Sequence, residues 1–406
     1  MGTLVSTVIV VAVTLVVVAA VFAGLNLALS RASQRWDDRL RPLIFVGPAV
    51  LFLGIALVIP AIRTIILSFQ GGSRGEQGWT LNNWTTALQS RNILDVSWER
   101  FGNIFTSRLF IAGVILVVLA VVVASFASGR APVASADQPE GSSRRRGFDF
   151  TSPGAVLLIG AGVIGVLMAV FSALRGAVIN NLWWVVVVAG FSTVLGLAFA
   201  VLADRSRGEN VAKSLIFMPM AISLVGAAVI WKYVYDTPGA GQAEGLLNVI
   251  WPGGPIDFIR GSAPGGTTIM PWNNLFIMAI MIWIQTGFAM VVLSAAVKAV
   301  PAELHEAARV DGANEAQVFW RVTLPQIAGT ILVVVTTLTI IVLKIFDLVK
   351  ATTNGQGGTD VLANVMYEGL RVGNFTQAST FATMILVLVL PVMYLNVRRT
   401  SREVRV

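Results

Sequence analysis

The sequence predicts an all-α integral membrane protein with about nine transmembrane helices. Charged residues make up 12% of the 406 residues, hydrophobic residues make up 56%, and the mean hydropathy is +0.79. A soluble protein of this size could not hide so much apolar surface, because a large share of any folded surface meets water. The apolar residues also occur in stretches of about 20, which is the length of a helix that spans a bilayer.

The apolar stretches define the predicted membrane helices. They lie at 4–29, 43–69, 109–127, 154–174, 181–203, 213–235, 274–297, 328–350 and 378–397. We interpret the first as a retained helix rather than a cleaved signal peptide. No positive segment precedes it, and the charged RASQRWDDRLR follows it in place of a small-residue cleavage site.

Arginines set the predicted orientation. They concentrate in 30–42, 128–153, 204–212 and the C-terminal tail, which nine spans place on one side together with the polar segment 298–327. Because positive loops face the cytoplasm, the N-terminus is expected outside a bacterial plasma or inner membrane and the C-terminus inside. The same rule accounts for the net charge of +8 without any nucleic-acid partner. Segment 128–153 is rich in Pro, Ser and Gly and is expected to be a disordered cytoplasmic linker.

Several kinds of chemistry are excluded by composition. The chain has no cysteine and a single histidine, His305, so neither a thiolate nucleophile nor a multi-histidine metal site is expected. No G-x-x-x-x-G-K-[ST] sequence occurs, so the chain is not expected to bind nucleotide phosphates in a P-loop. We therefore expect a transport subunit with no cofactor of its own, rather than an enzyme.

Residues 301–325, PAELHEAARVDGANEAQVFWRVTLP, have a pattern of their own. Pro301 can open a helix, and Asp311-Gly312 is expected to end it, since glycine readily adopts the left-handed conformation found at helix ends. Asn314 can cap a second helix, with Gln317 at the capping-box position, and Pro325 is expected to stop that helix. The segment predicts a polar helix–turn–helix at the cytoplasmic surface, between two membrane spans.

This segment resembles the EAA motif of ABC importer permeases. The matching residues are Glu306-Ala307-Ala308, then Gly312 after three residues, then Val322-Thr323-Leu324-Pro325 after nine more. We call residues 301–325 the EAA segment. Within the family the chain is similar to the sugar-importer branch (maltose, trehalose and α-glucoside permeases), through NNLWWVVVVAGFSTVLGLAFAVLADRSRG, FMPMAISLVGAAVIWKYVYD, WIQTGFAMVVLSAAVKAVPAELHEAARVDGA and LKIFDLVKATTNGQGGTDVLANVMYEGLR.

The resemblance implies an ABC type I importer core of six helices, joined here by one extra N-terminal helix and two inserted ones. The implied organisation is an N-terminal helix and turn, a first core helix with its loop, an inserted helix pair, the permease core and a short tail. These occupy residues 1–42, 43–108, 109–179, 180–400 and 401–406. The implied partners are an ABC ATPase dimer holding ATP and Mg, a second and different permease, an extracytoplasmic sugar-binding protein, a carbohydrate substrate and membrane lipid.

The resemblance also suggests which residues do the work. Coupling to the ATPase is expected from Glu306 and Gly312, with Leu304 and Phe319 as docking apolar groups. The full predicted coupling set is Leu304, Glu306, Ala307, Ala308, Asp311, Gly312, Phe319 and Pro325. A sugar needs amides, hydroxyls and rings, so the predicted substrate path is Trp231, Tyr233, Trp283, Gln285, Thr286, Thr336, Thr337 and Thr339. Lys344 and Asp347, three residues apart in one predicted span, are expected to pair near its outer end as a possible outer gate.

Three alternatives stay open at this stage. A secondary transporter would need buried carboxylates, broken helices or inverted repeats, and the sequence shows little of these. A membrane enzyme would need paired carboxylates or His and Cys clusters. A permease for another solute, such as glycerol phosphate or a polyol, differs from a sugar permease in its substrate alone.

Overall fold

The computed structural model describes residues 46–47, 49–71, 78–95, 98–127, 153–174, 176–204, 208–235, 245–250, 256–259 and 272–403. Contacts divide the chain into two units, Met1–Leu67 and Ser68–Val406. The helices α1 to α16, in chain order, are Ala49–Ser68, Asn82–Gln89, Trp98–Thr106, Arg108–Ala127, Pro153–Ala173, Ala177–Asp204, Glu209–Ala221, Leu224–Tyr235, Leu246–Ile250, Trp272–Lys298, Ala302–Val310, Glu315–Gln326, Ala328–Leu343, Asp347–Thr352, Leu362–Arg371 and Phe375–Glu403.

The all-α membrane fold is confirmed. Among the described residues, α1, α6, α10 and α16 are long and apolar enough to cross a membrane. The number rises to at most six if each of the bent pairs α7–α8 and α12–α13 is counted as one span. The count of nine is not confirmed, since the predicted helix 4–29 lies outside the described residues. Of the predicted linker 128–153, residues 128–152 also lie outside them, and Pro153 begins α5. The predicted spans 109–127 and 154–174 are helical, in α4 and α5, but their described apolar parts are shorter than a full span.

Helix α10 is the most buried of these spans and packs along α6. Its side chains Ile277, Met278, Met281 and Met290 are fully buried. The two helices lie close together at Gly196 of α6, where an added Cβ would fall 2.8 Å from the backbone nitrogen of Met290. Small residues allow membrane helices to pack closely, and this glycine sets the α6–α10 distance.

The predicted span 213–235 is not one straight helix. Helices α7 and α8 meet at an angle of 101°. The last turn of α7 is a 3₁₀ turn, Met218–Ala221, that contains Pro219, and Ile222 is extended. Because proline has no N–H to give to the helix, a break beside it costs little. Hydropathy does not detect the bend, since both halves are apolar.

The predicted span 328–350 was wrong at its end. Helix α13 stops at Leu343, and a separate short helix, α14, begins at Asp347. Asn181, fully buried on α6, explains the stop: its Nδ2 donates to the Leu343 carbonyl at 3.0 Å, and its Oδ1 accepts from the Leu362 N–H at 2.9 Å. One side chain thus satisfies backbone groups at the ends of two helices, which would otherwise be unpaired.

Candidate functional site

The first helix of the EAA segment ends as its sequence predicts. Pro301 is the residue before α11, and Gly312 follows its C-terminus with φ +82°. The Ala313 N–H donates to the Ala308 carbonyl at 2.9 Å, and the Gly312 N–H donates to the Arg309 carbonyl at 3.0 Å. This pair of bonds is a Schellman motif, whose left-handed position strongly favours glycine.

The second helix begins with the predicted capping box. Asn314 Oδ1 accepts from the Gln317 N–H, and Gln317 Oε1 accepts from the Asn314 N–H, each at 2.9 Å. The expectation that Pro325 stops this helix was wrong, since α12 continues to Gln326 and then bends by 67° into α13. A π-helical turn, Phe319–Thr323, ends two residues before the proline. The wider turn accommodates a residue that cannot donate a helix bond.

Side-chain bonds hold the two EAA helices together. His305 Nε2 and Thr323 Oγ1 share a hydrogen bond at 3.0 Å. The Arg309 guanidinium pairs with Glu315 Oε1, also at 3.0 Å. The segment is therefore a braced unit, because contacts link its first helix to both the start and the end of the second.

Several apolar side chains of this unit are exposed. Val310 is 87% exposed, Trp320 65% and Leu304 39%. Phe319 is half-buried and packs edge-to-face with Trp320, their ring centroids 5.4 Å apart. Of the other predicted coupling residues, Ala308 is half-buried, and the exposed ones are Glu306, Ala307, Asp311, Gly312 and Pro325.

A cluster of polar and charged side chains lies where the end of α6, the start of α7 and the end of α10 meet. Lys213 of α7 contacts Asp204 at the end of α6, Glu209 Oε1 at 2.6 Å, and Ser294 of α10. Ser294 Oγ donates to Asp204 Oδ1 at 2.9 Å. Lys298, at the end of α10, pairs with Glu209 and lies 3.9 Å from Asp204. We call these five residues the ion cluster.

A cleft of about 280 Å³ separates the ion cluster from the EAA segment. Its lining residues are Val201, Asp204, Val297, Ala302, His305, Glu306, Arg309, Glu315, Val318, Phe319 and Thr323. Asp204 lies on the α6 side of this cleft, and its Oδ2 is buried with no hydrogen-bond partner among the described residues.

Sequence reasoning missed the ion cluster. In the sequence, segment 204–212 stands out only for its arginines, and Lys298 only as part of a polar stretch. The four-residue spacing of Glu209 and Lys213 would have predicted one pair, as charges so placed meet on a helix face. The contacts of Lys213 with Asp204 and Ser294 bring three helices together, and no spacing within one helix predicts them.

The aromatic and amide residues of the predicted substrate path differ in burial. Trp231 and Trp283 pack edge-to-face with centroids 5.6 Å apart, and both are half-buried. Tyr233 is 73% exposed. Gln285 is 7% exposed, yet its Oε1 is buried without a hydrogen-bond partner among the described residues.

The threonines of that path bond mostly within their own helices. Thr286 donates to Ile282 O at 2.6 Å, Thr336 to Leu332 O at 2.9 Å, and Thr339 to Val335 O at 2.8 Å. Thr337 is half-buried. Gly287, beside Gln285, faces a neighbouring helix, since a Cβ there would lie 2.7 Å from the Ile216 carbonyl oxygen. Helix packing therefore explains this glycine without any substrate.

The structure does not show the predicted pairing of Lys344 with Asp347. Both are exposed, on either side of the break after α13, and no ion pair joins these two described side chains. Glu368 is the acid paired in this region, with Lys350 at 2.5 Å and Arg371 at 2.7 Å. The hydrogen bond from Lys350, followed by that from Arg371, lowers the pKa of Glu368. A gate role for Lys344 and Asp347 remains a proposal without a mutual bond to support it.

Comparison with known proteins places this architecture in a family. Residues 161–400 match the family described as "binding-protein-dependent transport system inner membrane component". The chain is 50% identical over 232 residues to an α-glucoside transport system permease of Rhizobium meliloti, covering 56% of this chain and 68% of that one. It is 52% identical over 227 residues to an osmoprotective compounds uptake permease of Synechocystis, covering 55% and 79%.

A solved structure shares the fold. A chain of a bacterial alginate ABC transporter, in complex with its alginate-bound periplasmic protein, superimposes with a TM-score of 0.53. The match covers 91% of this chain and 97% of that one at 17% identity. The family match spans more than half of the sequence, and it includes the EAA segment, the ion cluster and the core spans from α6 onward. This multi-pass membrane chain therefore belongs to the family of inner membrane components of binding-protein-dependent transport systems, the permeases of ABC transporters.

Proposed function

We propose that this chain forms half of the translocation path of an ATP-driven carbohydrate importer and docks on its ATPase through the EAA segment. The exposed, braced helix–turn–helix carries the proposal. Its caps and the His305–Thr323 and Arg309–Glu315 contacts hold it in one shape, so it can present a fixed surface to a partner. The apolar surface of Leu304, Val310 and Trp320 is the kind of surface that a protein partner covers.

The proposed partners follow from this role. An ABC ATPase dimer holds ATP and Mg and receives the EAA segment. A second permease, a different chain, completes the path, and an extracytoplasmic binding protein delivers the substrate. Family membership favours this function over a secondary transporter or a membrane enzyme.

Carbohydrate is the proposed substrate class. The α-glucoside permease relative supports it, whereas the relative for osmoprotective compounds keeps a non-sugar solute as the second candidate. Uptake of labelled maltose, trehalose, glycerol 3-phosphate and sorbitol by cells with and without the gene separates the two. We expect gene-dependent uptake of an α-glucoside. Uptake restricted to glycerol phosphate or sorbitol would contradict the sugar assignment.

We place the sugar beside Trp283 and Gln285. An amide oxygen without a partner in a buried site is suited to a sugar hydroxyl, and the Trp231–Trp283 pair offers aromatic surface. Gln285→Ala is expected to abolish uptake while the complex still assembles, because the lost sugar hydrogen bond costs about 1–3 kcal/mol in a dry site. Trp283→Ala is expected to do the same, because it removes the aromatic surface.

Uptake rates test the loss of transport, and co-purification of the ATPase tests whether the complex still assembles. Thr193→Val is the matched control, since the Thr193 hydroxyl donates to Ala189 O within its own helix at 2.7 Å. Normal uptake by both site variants would move the site, and the Thr336–Thr339 turn would be tested next.

We propose an outside N-terminus and a cytoplasmic C-terminus, because the arginine-rich segments then all face the cytoplasm. Reporter fusions after residues 36, 90 and 140 are expected to read inside, outside and inside. A reporter that reads outside after residue 36 would contradict this topology at its first step.

A further inference from the structure

Lys213 is the central cation of the ion cluster. Its ammonium group contacts three acceptors that belong to the ends of α6, α7 and α10. Its side chain is 18% exposed, whereas that of Lys298 is 53% exposed. Asp204, 13% exposed, is the acid that most needs this cation, because a largely buried carboxylate is costly without a partner.

Two residues of the ion cluster, Ser294 and Lys298, come directly before the EAA segment in the chain. Lys298 ends α10, and α11 begins at Ala302. Ser294 and Lys298 therefore fix the last turn of α10 against α6 and α7. The direction in which the EAA segment leaves the bundle depends on how that last turn is held.

The cleft leaves the EAA segment room to move on its α6 side. Asp204 and Val201 line one wall, and His305 and Arg309 line the other. The bonds of His305 with Thr323 and of Arg309 with Glu315 keep the EAA segment itself together. A rigid segment beside open space takes its position from its attachments, and the ion cluster holds one of them.

We propose that Lys213 is a positioning residue, which sets the location of the EAA segment by holding together the ends of α6, α7 and α10. This inference rests on the proposed docking of the EAA segment on an ATPase. Lys213 lies outside the EAA motif, and its contacts then help to determine how movement passes between the ATPase and the membrane helices.

The test uses the native lack of cysteine. Spin labels at Leu202→Cys and Glu303→Cys, both exposed, report the distance from α6 to the EAA segment in the assembled transporter. Distances are measured without nucleotide and after trapping with ATP and vanadate. In the labelled parent we expect a narrow distribution that shifts on trapping.

Lys213→Met is expected to broaden the nucleotide-free distribution and to lower ATP-dependent uptake about five- to tenfold, in the range of coupling effects that single residues exert. Lys213→Arg, which keeps the charge, is expected to retain both the narrow distance distribution and the uptake rate of the parent. Lys350→Met removes a comparable lysine–glutamate pair outside the ion cluster and should leave the distribution unchanged. Asp204→Asn, an isosteric change, serves if Lys213→Met fails to assemble, and is expected to broaden the distribution as well.

An unchanged, narrow distribution with full uptake in an assembled Lys213→Met or Asp204→Asn transporter would overturn the proposal. Gly312→Val in the same uptake assay distinguishes failure of the docking proposal from failure of the positioning proposal. If Gly312→Val also transports normally, the proposed docking function fails. If Gly312→Val loses uptake while Lys213→Met keeps it, only the positioning role fails.

Discussion

Gly312→Val is expected to give a transporter that reaches the membrane but no longer links arrival of the loaded binding protein to ATP hydrolysis. Gly312 has φ +82°, and a Cβ added there would have no atom within 4 Å, so the effect comes from the backbone and not from crowding in this chain. Forcing a β-branched residue into that conformation costs about 1–3 kcal/mol. The cost falls on the turn between α11 and α12, and the membrane spans are untouched.

The measurement is binding-protein-stimulated ATP hydrolysis of the purified complex, with maltose and with trehalose. Gly312→Asn is the first control, because asparagine tolerates the left-handed region and should retain most of the stimulation. Gly373→Val is the second: Gly373 has φ +77° and similarly open surroundings, but lies in the turn between α15 and α16. Full stimulation in Gly312→Val would remove the EAA segment as the coupling element.

Glu306→Lys tests the same surface through charge. Glu306 is exposed on α11 and lines the cleft. Reversing its charge is expected to abolish stimulation with little change in folding, since exposed charges contribute about 0–1 kcal/mol to stability. Retained stimulation and uptake in both Glu306→Lys and Gly312→Val would contradict the proposed coupling role of the EAA segment.

Gly196→Leu is expected to have the largest effect on stability. A Cβ at Gly196 would lie 2.5 Å from the Cβ of Ala289 and 2.8 Å from the backbone nitrogen of Met290. Backbone atoms cannot turn aside as a flexible side chain can, so α6 and α10 must separate. Overpacking of this kind typically lowers stability by about 1–3 kcal/mol. For a whole leucine side chain at a helix crossing, we expect a loss of stability at or above the upper end of that range.

The effect is measured as the midpoint of thermal unfolding in lipid nanodiscs. The yield of assembled complex is a second readout. Gly190→Leu is the matched control on the same helix, because an added Cβ at Gly190 has no atom within 4 Å. We expect a clear drop in the midpoint for Gly196→Leu and little change for Gly190→Leu. Equal midpoints for the two variants would show that the α6–α10 crossing does not limit stability.

Local chemistry explains why the sequence predicted the EAA segment so well. The Schellman turn at Gly312 and the capping box of Asn314 with Gln317 are formed by residues three to five positions apart. Such motifs depend little on the rest of the fold. Pro325 is the exception, since its place within α12 depends on the π-helical turn before it, which the sequence pattern did not predict.

Hydropathy determined the fold class and the approximate location of the core spans, because a bilayer requires long apolar helices whatever their packing. It could not place the end of α13 at Leu343, which depends on Asn181 from a helix 162 residues earlier in the chain. Hydropathy also could not show that a helix break lies between Lys344 and Asp347. Their three-residue spacing predicts a pair only within one continuous helix.

The sequence by itself determined the membrane class, the EAA motif and its helix caps, since each depends on composition or on neighbours along the chain. The tertiary structure decided which polar groups meet: Lys213 with Asp204 and Ser294, Asn181 with two helix ends, and Gly287 with the backbone of α7. These contacts join helices far apart in sequence. Their partners are set by packing geometry, which no spacing within one helix encodes.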